Sequence, residues 1–442
     1  MRPAVHLFAP RLARTVRPPW TYVPHVVLAV FGVGYALQTA TPLRLNGDVA
    51  TYLTVAGQVL DGRGFVDAAG PTLYPPGYPA LIALVSALGL DVSFALVGVN
   101  VVGLAVAVAA AVRVYRDGFG LSARASLAAA ALVPASYVVV KHATLVIADV
   151  LFLAVATVAV AAMTQAARGG PRAGRALVGA AFAVGVAFAL RTTAVALAPA
   201  LAVAALVLAE TSPVVRRRLA ALRTRPLAVG AAVTGVLALA AWAFFHTRYG
   251  QDAIGVYARW GGAVLLNNVR FKLTEGGEIA FNAPSARWAG LGLPESALLV
   301  AGAIAALVVG AGLWTVRGRR EAWPAVAYVV AFAAMLLLWP GFDARFWLGV
   351  WPVALGAGAV AVQGAPRPVR RVAQAAAAVF VTLGVLALGY STQISLAGND
   401  FPDRYAGGTL APAYRAAWAD EAPPDTSAVS LRAHGVLVRF GR

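Results

Sequence analysis

The chain has 442 residues, 60% of them hydrophobic and 12% charged, with a mean hydropathy of +0.75. That apolar share exceeds the roughly half found in soluble globular proteins and excludes that class. Cysteine is absent, which excludes disulfides and thiolate chemistry, and the net charge of +18 is spread over short loops rather than gathered as a nucleic-acid footprint.

The N-terminal stretch Met1 to Trp20 carries four arginines ahead of an apolar run at 21–40. That run is too long for a cleaved signal and reads as a retained first helix. Further apolar segments follow at 77–90, 92–114, 124–141, 144–163, 176–190, 193–209, 226–246, 294–314, 323–340, 345–363 and 373–391. Most approach the ~17–25 residues needed to cross a bilayer, and they are continuous rather than alternating, which excludes a β-barrel. The fold class is therefore an all-α polytopic membrane protein.

Arginines crowd the turns 165–175, 210–225, 315–322 and 364–372. Short arginine-rich loops mark the cytoplasmic side. With these inside, residues 41–76, the turns near His142, Arg191 and Asp343, the 247–293 loop and the C-terminal tail lie outside. Parity then forbids a full crossing by 77–90, whose length is short for a span. The expectation is about eleven helices (10–12) crossing a plasma (inner) membrane, with a cytoplasmic N-terminus and an extracytoplasmic C-terminus. Residues 1–391 form the transmembrane module and 392–442 a short outer segment, where Val429–Leu431 and Val436–Val438 read as strands.

In the first outer loop, Asp48 to Leu60 reads as an amphipathic helix with Asp48, Tyr52 and Ala56 on one stripe, ended by Gly62-Arg63-Gly64. Asp48 suits a helix cap as well as a catalytic carboxylate. Asp149 is placed about six residues inside its helix, roughly 9 Å below the outer end. A carboxylate at that depth faces a cavity or a partner, with Arg191 and His142 as the candidates. Arg191 and Arg345 stand on the outer side, against the positive-inside pattern, and suit a phosphate because the guanidinium fork binds two oxygens. Asp343 is a local partner for Arg345. Tyr52 and Tyr78 suit either a pocket wall or an interfacial belt, and Lys141 a snorkelling cation. Arg259, Arg270 and Lys272 in the 247–293 loop are further candidates for a phosphate.

The Asp48-x-x-x-Tyr52 pattern, the helix ending at Gly62-Arg63-Gly64-Phe65, and Pro75-Pro76-Gly77-Tyr78-Pro79 together resemble the GT-C superfamily. The likeness is to its protein O-mannosyltransferases and lipid A aminoarabinose transferases. Asp149 within Ala148-Asp149-Val150, Arg191 within Leu190-Arg191-Thr192, and Arg345-Phe346-Trp347 before Trp351-Pro352 extend the resemblance through most of the chain. It implies a GT-C-like bundle with its active site at the outer face. The implied reaction takes a polyprenyl-phosphate sugar donor and a lipid, glycan or protein acceptor, usually with inversion. Asp48 and Asp149 become the catalytic carboxylates. Tyr52, Tyr78, His142, Arg191 and Arg345 become the substrate-binding set. No cofactor is fixed by the residues, and a divalent metal at Asp48, Asp149 and His142 stays open. Tyr74 stands where relatives often carry a phosphate-binding lysine. A transporter of lipids or small molecules and a non-catalytic relative stay open as alternatives; nucleic acid is not an expected partner.

Overall fold

The computed structural model describes residues 22–67, 70–71, 74–211, 254–259, 261–406, 410–423 and 427–441. The expected segment 226–246, most of the 210–225 arginine turn and the arginines of the N-terminal stretch lie outside the described residues.

Helix α1 (Val23–Gln38) leads into a loop and then α2 (Gly47–Leu60), which carries Asp48. Asn46 is its cap, its side chain accepting from the Val49 N–H at 2.8 Å, so Asp48 is free of the capping role considered for it. Gly62 and Gly64 both adopt positive φ, the conformation that stops α2 and turns the chain away. Two-residue strands β1 (Val66–Asp67) and β2 (Gly70–Pro71) pair antiparallel before α3 (Gly77–Ala87). At 11 residues α3 is about 17 Å long, little more than half a hydrocarbon core.

The bundle proper contains α4 (Val92–Arg113), α5 (Ala123–Ala131), α6 (Tyr137–Ala143), α7 (Asp149–Arg168), α8 (Ala173–Leu190) and α9 (Leu197–Thr211). After the undescribed stretch come α10 (Ala263–Ala280), α11 (Ser285–Gly290), α12 (Glu295–Val316), α13 (Trp323–Leu338), α14 (Trp351–Gly364) and α15 (Arg367–Ser395). Among the described residues, seven helical stretches are long and apolar enough to span a membrane, and α1 and α3 are shorter apolar helices. Helix α7 packs on α4, α8 and α9, and α13 lies along α9.

Several expectations need correction. The segment 124–141 is not one helix but breaks into α5 and α6 around Pro134, because a proline cannot donate to the helical ladder and disfavours helix at the preceding residue. The freed carbonyls are caught by side chains: Tyr35 donates to the Pro134 oxygen at 2.7 Å and Asn282 Nδ2 to the Ala135 oxygen at 2.8 Å. Asn282 Oδ1 also accepts from the Tyr137 N–H at 2.6 Å. Non-helical backbone inside a membrane bundle needs such partners. The apolar run at 144–163 becomes helical only at Asp149, so Asp149 opens α7 instead of lying two turns inside it. A carboxylate there meets the positive end of the helix dipole. The 247–293 segment contains α10 and α11 rather than an open loop.

The tail is helical too, as α16 (Phe401–Ala406), α17 (Ala411–Trp418) and α18 (Ala428–Phe440). The strands expected at 429–431 and 436–438 are both inside α18, where apolar residues spaced for a helix face α2. Tyr414 ties α17 to the first loop by donating to the Leu43 oxygen at 2.7 Å and accepting from the Leu45 N–H at 2.9 Å. Buried Arg44 in the same loop donates to the Ser391 oxygen at 3.0 Å and Ser395 Oγ at 2.6 Å, at the electronegative end of α15. Helix α18 then clamps α2, with Arg439 on Asp61 at 2.8 Å and Arg432 on Thr51 and Thr54, each at 3.2 Å.

Two glycines set one close crossing. A Cβ on Gly302 would overlap the Leu273 carbonyl oxygen, and one on Gly277 the Leu298 oxygen, so α10 and α12 meet backbone to backbone. Small residues at such interfaces are the usual means of close helix packing in membranes.

Candidate active site

Asp48, Asp149, Arg191 and Arg345 come from four separate elements and meet at one end of the bundle. Asp48 sits in the first turn of α2 and Asp149 in that of α7; Arg191 follows α8, and Arg345 lies in the turn between α13 and α14. The antiparallel pair α7 and α8 explains one meeting, because the start of α7 and the end of α8 must share an end. At the opposite end Arg168 pairs with Asp117 at 2.7 Å and Arg319 donates to the Gly118 oxygen at 3.0 Å. The described arginine turns at 168 and 319 thus share the end away from the four residues.

Two ion pairs organise the site. Asp149 pairs with Arg191, and both are largely buried. Asp48 pairs with Arg345 through Oδ2 and accepts from the Tyr74 hydroxyl through Oδ1 at 2.6 Å. Arg345 also lies 2.9 Å from Asp343 Oδ2 by its Nε, although that N–H does not point at the oxygen. The Arg345 backbone N–H donates to Asp343 Oδ1 at 3.0 Å, closing the turn.

Burial is the largest influence on Asp48 and raises its pKa, but Arg345 and the Tyr74 hydroxyl together outweigh it and hold the carboxyl below the ordinary range. For Arg345 burial pulls the pKa down, and Asp149, Asp48 and Asp343 more than reverse it, so the guanidinium stays charged. Arg191 behaves likewise, with Asp149 the main opposing charge.

These residues form one end of a cavity of about 1010 Å³. Asp48, Tyr52, Tyr74, Arg191 and Arg345 line its polar end. Its remaining wall is apolar, from Val195 and Pro199 on the α9 side and Ala331, Met335, Leu336 and Leu338 on α13. Tyr52 packs against Tyr74 with ring centroids 4.4 Å apart and against Tyr78 at 5.2 Å. Tyr78 is fully buried behind Tyr52 and does not line the cavity. Its motif has another use: a Cβ on Gly77 would lie 2.6 Å from the Ala189 oxygen, so Pro75-Pro76-Gly77 brings α3 against the end of α8 that delivers Arg191.

His142 is buried with Nδ1 2.7 Å from the Val138 oxygen and is outside the cavity wall. Lys141 does not line it either. Of the 247–293 candidates, Lys272 is buried against Glu275, Arg270 pairs with Glu295 at 2.7 Å, and Arg259 donates to the Gly255 oxygen at 3.2 Å. None of the three reaches the cavity, where Ile254, Tyr257 and Ala258 stand instead. Among the described residues no three His, Cys, Asp or Glu side chains gather to hold a metal. Asp48 and Asp149 are each committed to an arginine, so the donor set of Asp48, Asp149 and His142 does not fit one.

Sequence reasoning treated Tyr74 as a missing lysine; it is a hydrogen-bond donor to the key carboxylate. Glu275 was missed altogether, although a carboxylate three residues from Lys272 beside apolar stretches signals a buried pair.

Residues 74–242 match the family model described as dolichyl-phosphate-mannose-protein mannosyltransferase. ArnT from Cupriavidus metallidurans bound to undecaprenyl phosphate superposes with a TM-score of 0.51 at 14% identity, covering 94% of this chain and 84% of that one. Its apo form gives 0.50 at 14%, covering 94% and 85%. The Archaeoglobus fulgidus oligosaccharyltransferase tethered with an acceptor peptide gives 0.51 at 13% identity, covering 93% of this chain and 59% of that one. A comparison with curated proteins gives no match. The chain thus has the polytopic GT-C membrane fold and resembles the protein mannosyltransferase and ArnT family.

Proposed function

We propose, from this fold and from the mannosyltransferase-like stretch at 74–242, that the chain is a membrane glycosyltransferase. It moves a sugar from a polyprenyl-phosphate donor to an acceptor at the outer face. The carrying observation is the shape of the cavity, in which two arginines and a carboxylate stand at one end of an apolar trough. That is the complement of an amphiphile with an anionic head and a hydrocarbon tail. A transporter would instead carry its charged groups at the midplane.

In this reading the acceptor O–H or N–H loses its proton to Asp48 as its heteroatom bonds to the anomeric carbon. The bond from that carbon to the phosphate oxygen breaks, and the polyprenyl phosphate leaves with one more negative charge. Arg345 and Arg191 receive that charge; fixed cations in a dry site stabilise it more than water does. Attack from the face opposite the phosphate inverts the sugar.

Asp48 cannot be an effective base while Arg345 holds it, because a depressed pKa weakens proton affinity. The donor phosphate competes with Asp48 for Arg345. Drawing that guanidinium away leaves the carboxylate buried with one cation fewer, and its basicity rises. Donor binding therefore arms the base, and water does not meet an active carboxylate before the sugar arrives. Asp149 keeps Arg191 in place, and Tyr74 holds Asp48 in its rotamer. The Tyr52 and Tyr74 rings, packed at 43° to each other, form an aromatic wall of the cavity against which a sugar can rest.

The test is transfer by the purified protein from lipid-linked sugar donors, with Asp48→Asn as the control. A loss of about a hundred- to ten-thousandfold is expected for a base. Undiminished transfer in a folded Asp48→Asn protein removes Asp48 from the mechanism. Failure of the wild-type protein to bind undecaprenyl phosphate overturns the reading of the cavity.

A further inference from the structure

The cation that the proposed site depends on does not stand on one of the long helices of the bundle. Arg345 lies in the short connection 339–350, held there by the single 3-10 turn Ala344–Trp347 and a few further three-residue backbone bonds up to Trp351. A long side chain on such a turn is positioned only as well as the turn is. Beneath it sits a buried ion pair that the proposed chemistry leaves unused.

Lys272 and Glu275 are one turn apart on α10, with Glu275 fully buried and Lys272 4% exposed. Lys272 Nζ donates to Glu275 Oε1 at 2.8 Å and Oε2 at 3.1 Å. The rest of their hydrogen bonding goes to the arginine's turn. Glu275 Oε1 accepts from the Asp343 N–H at 2.8 Å, and Oε2 accepts from Trp347 Nε1 at 2.8 Å. Lys272 donates to the Gly341 oxygen at 2.6 Å and lies 5.6 Å from the centre of the Phe346 ring. Three points flanking Arg345 are thereby tied to one helix, and Asp343 is in turn the local partner of Arg345.

An ion pair removed from water is an expensive way to hold two elements together, since apolar residues of the same volume often stabilise as well or better. What it supplies is direction: two carboxylate oxygens and an ammonium fix the distances to three particular atoms. We infer that the Lys272–Glu275 pair is a positioning device for Arg345, setting the 341–347 turn so that its guanidinium reaches Asp48 and the cavity. The pair touches neither the cavity nor Asp48. Its importance for turnover rests on the proposed reading of the site, but its effect on Arg345 does not.

The experiment compares the wild-type protein with Glu275→Gln, Trp347→Phe, Arg345→Ala and the Glu275→Gln/Arg345→Ala double variant, all purified in lipid nanodiscs. Phenylglyoxal modification of Arg345 is followed by mass spectrometry, with Arg191 as the internal reference. Glu275→Gln is expected to raise the Arg345 rate several-fold and leave Arg191 unchanged. Trp347→Phe, which deletes one donor and keeps the ring, gives a smaller rise in the same direction and serves if Glu275→Gln fails to fold. Equal rises at both arginines, or none at Arg345, overturn the inference, because general loosening or indifference of the turn would produce them.

The second arm measures undecaprenyl phosphate binding. About tenfold weakening is expected for Glu275→Gln, with no further loss when Arg345 is already alanine, since coupled residues are not additive. Losses that simply multiply in the double variant count against the device. Absence of binding by the wild-type protein counts against the proposed function, while the labelling arm still decides the present inference.

Discussion

At the scale of single residues, the proposed contest between Asp48 and the donor for Arg345 gives a pH test. Asp48 has a depressed pKa in the folded protein, so its pairing energy is present above the unfolded value of about 3.9 and is lost as pH falls through the lower, folded value. The acid limb of kcat/KM assigned to Asp48 is therefore expected below about pH 4. In Arg345→Gln the main lowering charge is gone, while burial still acts upward and the Tyr74 hydroxyl and Arg191 downward. The limb should therefore move up in the variant's residual activity. A limb that stays put would show that Arg345 does not govern this carboxylate. Asp48, Arg191 and Arg345 were legible in the sequence because a charge beside an apolar run is conspicuous. Glu275 was not, because its meaning depends on Asp343 and Trp347, some 70 positions away and brought to it only by folding.

At the scale of elements, apolar run length located the long apolar helices but not α10, α11 or the tail helices, and starts and breaks depended on other physics. Asp149 begins α7 because the residues before it form turns, a preference that hydropathy does not register. The tail shows the reverse failure: the short apolar triplets read as strands lie within α18, where the helical period of 3.6 buries Val436 and Leu437 and leaves Val429 and Leu431 exposed. Glycine contacts are the least legible feature and yield sharp expectations. Gly77→Ala should force α3 away from the Ala189 carbonyl and cost about 1–3 kcal/mol. Thermal unfolding in detergent checks the cost, and reduced binding of undecaprenyl phosphate checks the displacement of Arg191. Gly302→Val should act through α10 instead, lowering the unfolding temperature by separating α10 from α12.

At the scale of the whole molecule, the two ends of the bundle carry different chemistry, with acids and arginines paired into a cavity at one and arginine turns at the other. Because the chain lacks cysteine, single cysteines at exposed positions report sidedness without background. Arg63→Cys, beside α2, is expected to react with a membrane-impermeant maleimide in intact cells. Arg172→Cys, in the turn between α7 and α8, is expected to react only after lysis. Equal labelling of both would contradict the proposed outer site.

The clamp of α18 on α2 also bears on how the protein is made. Asp61 and Arg439 are 378 residues apart, as are Thr54 and Arg432, so α2 waits for a segment made long after it before it is clamped. The spans emerge from the ribosome and enter the bilayer one after another, leaving α2 unclamped meanwhile. Contacts so distant in sequence form late. A ribosome stalled before residue 428 would therefore leave an inserted bundle whose α2 is still unclamped, a species that protease-protection of stalled nascent chains can capture.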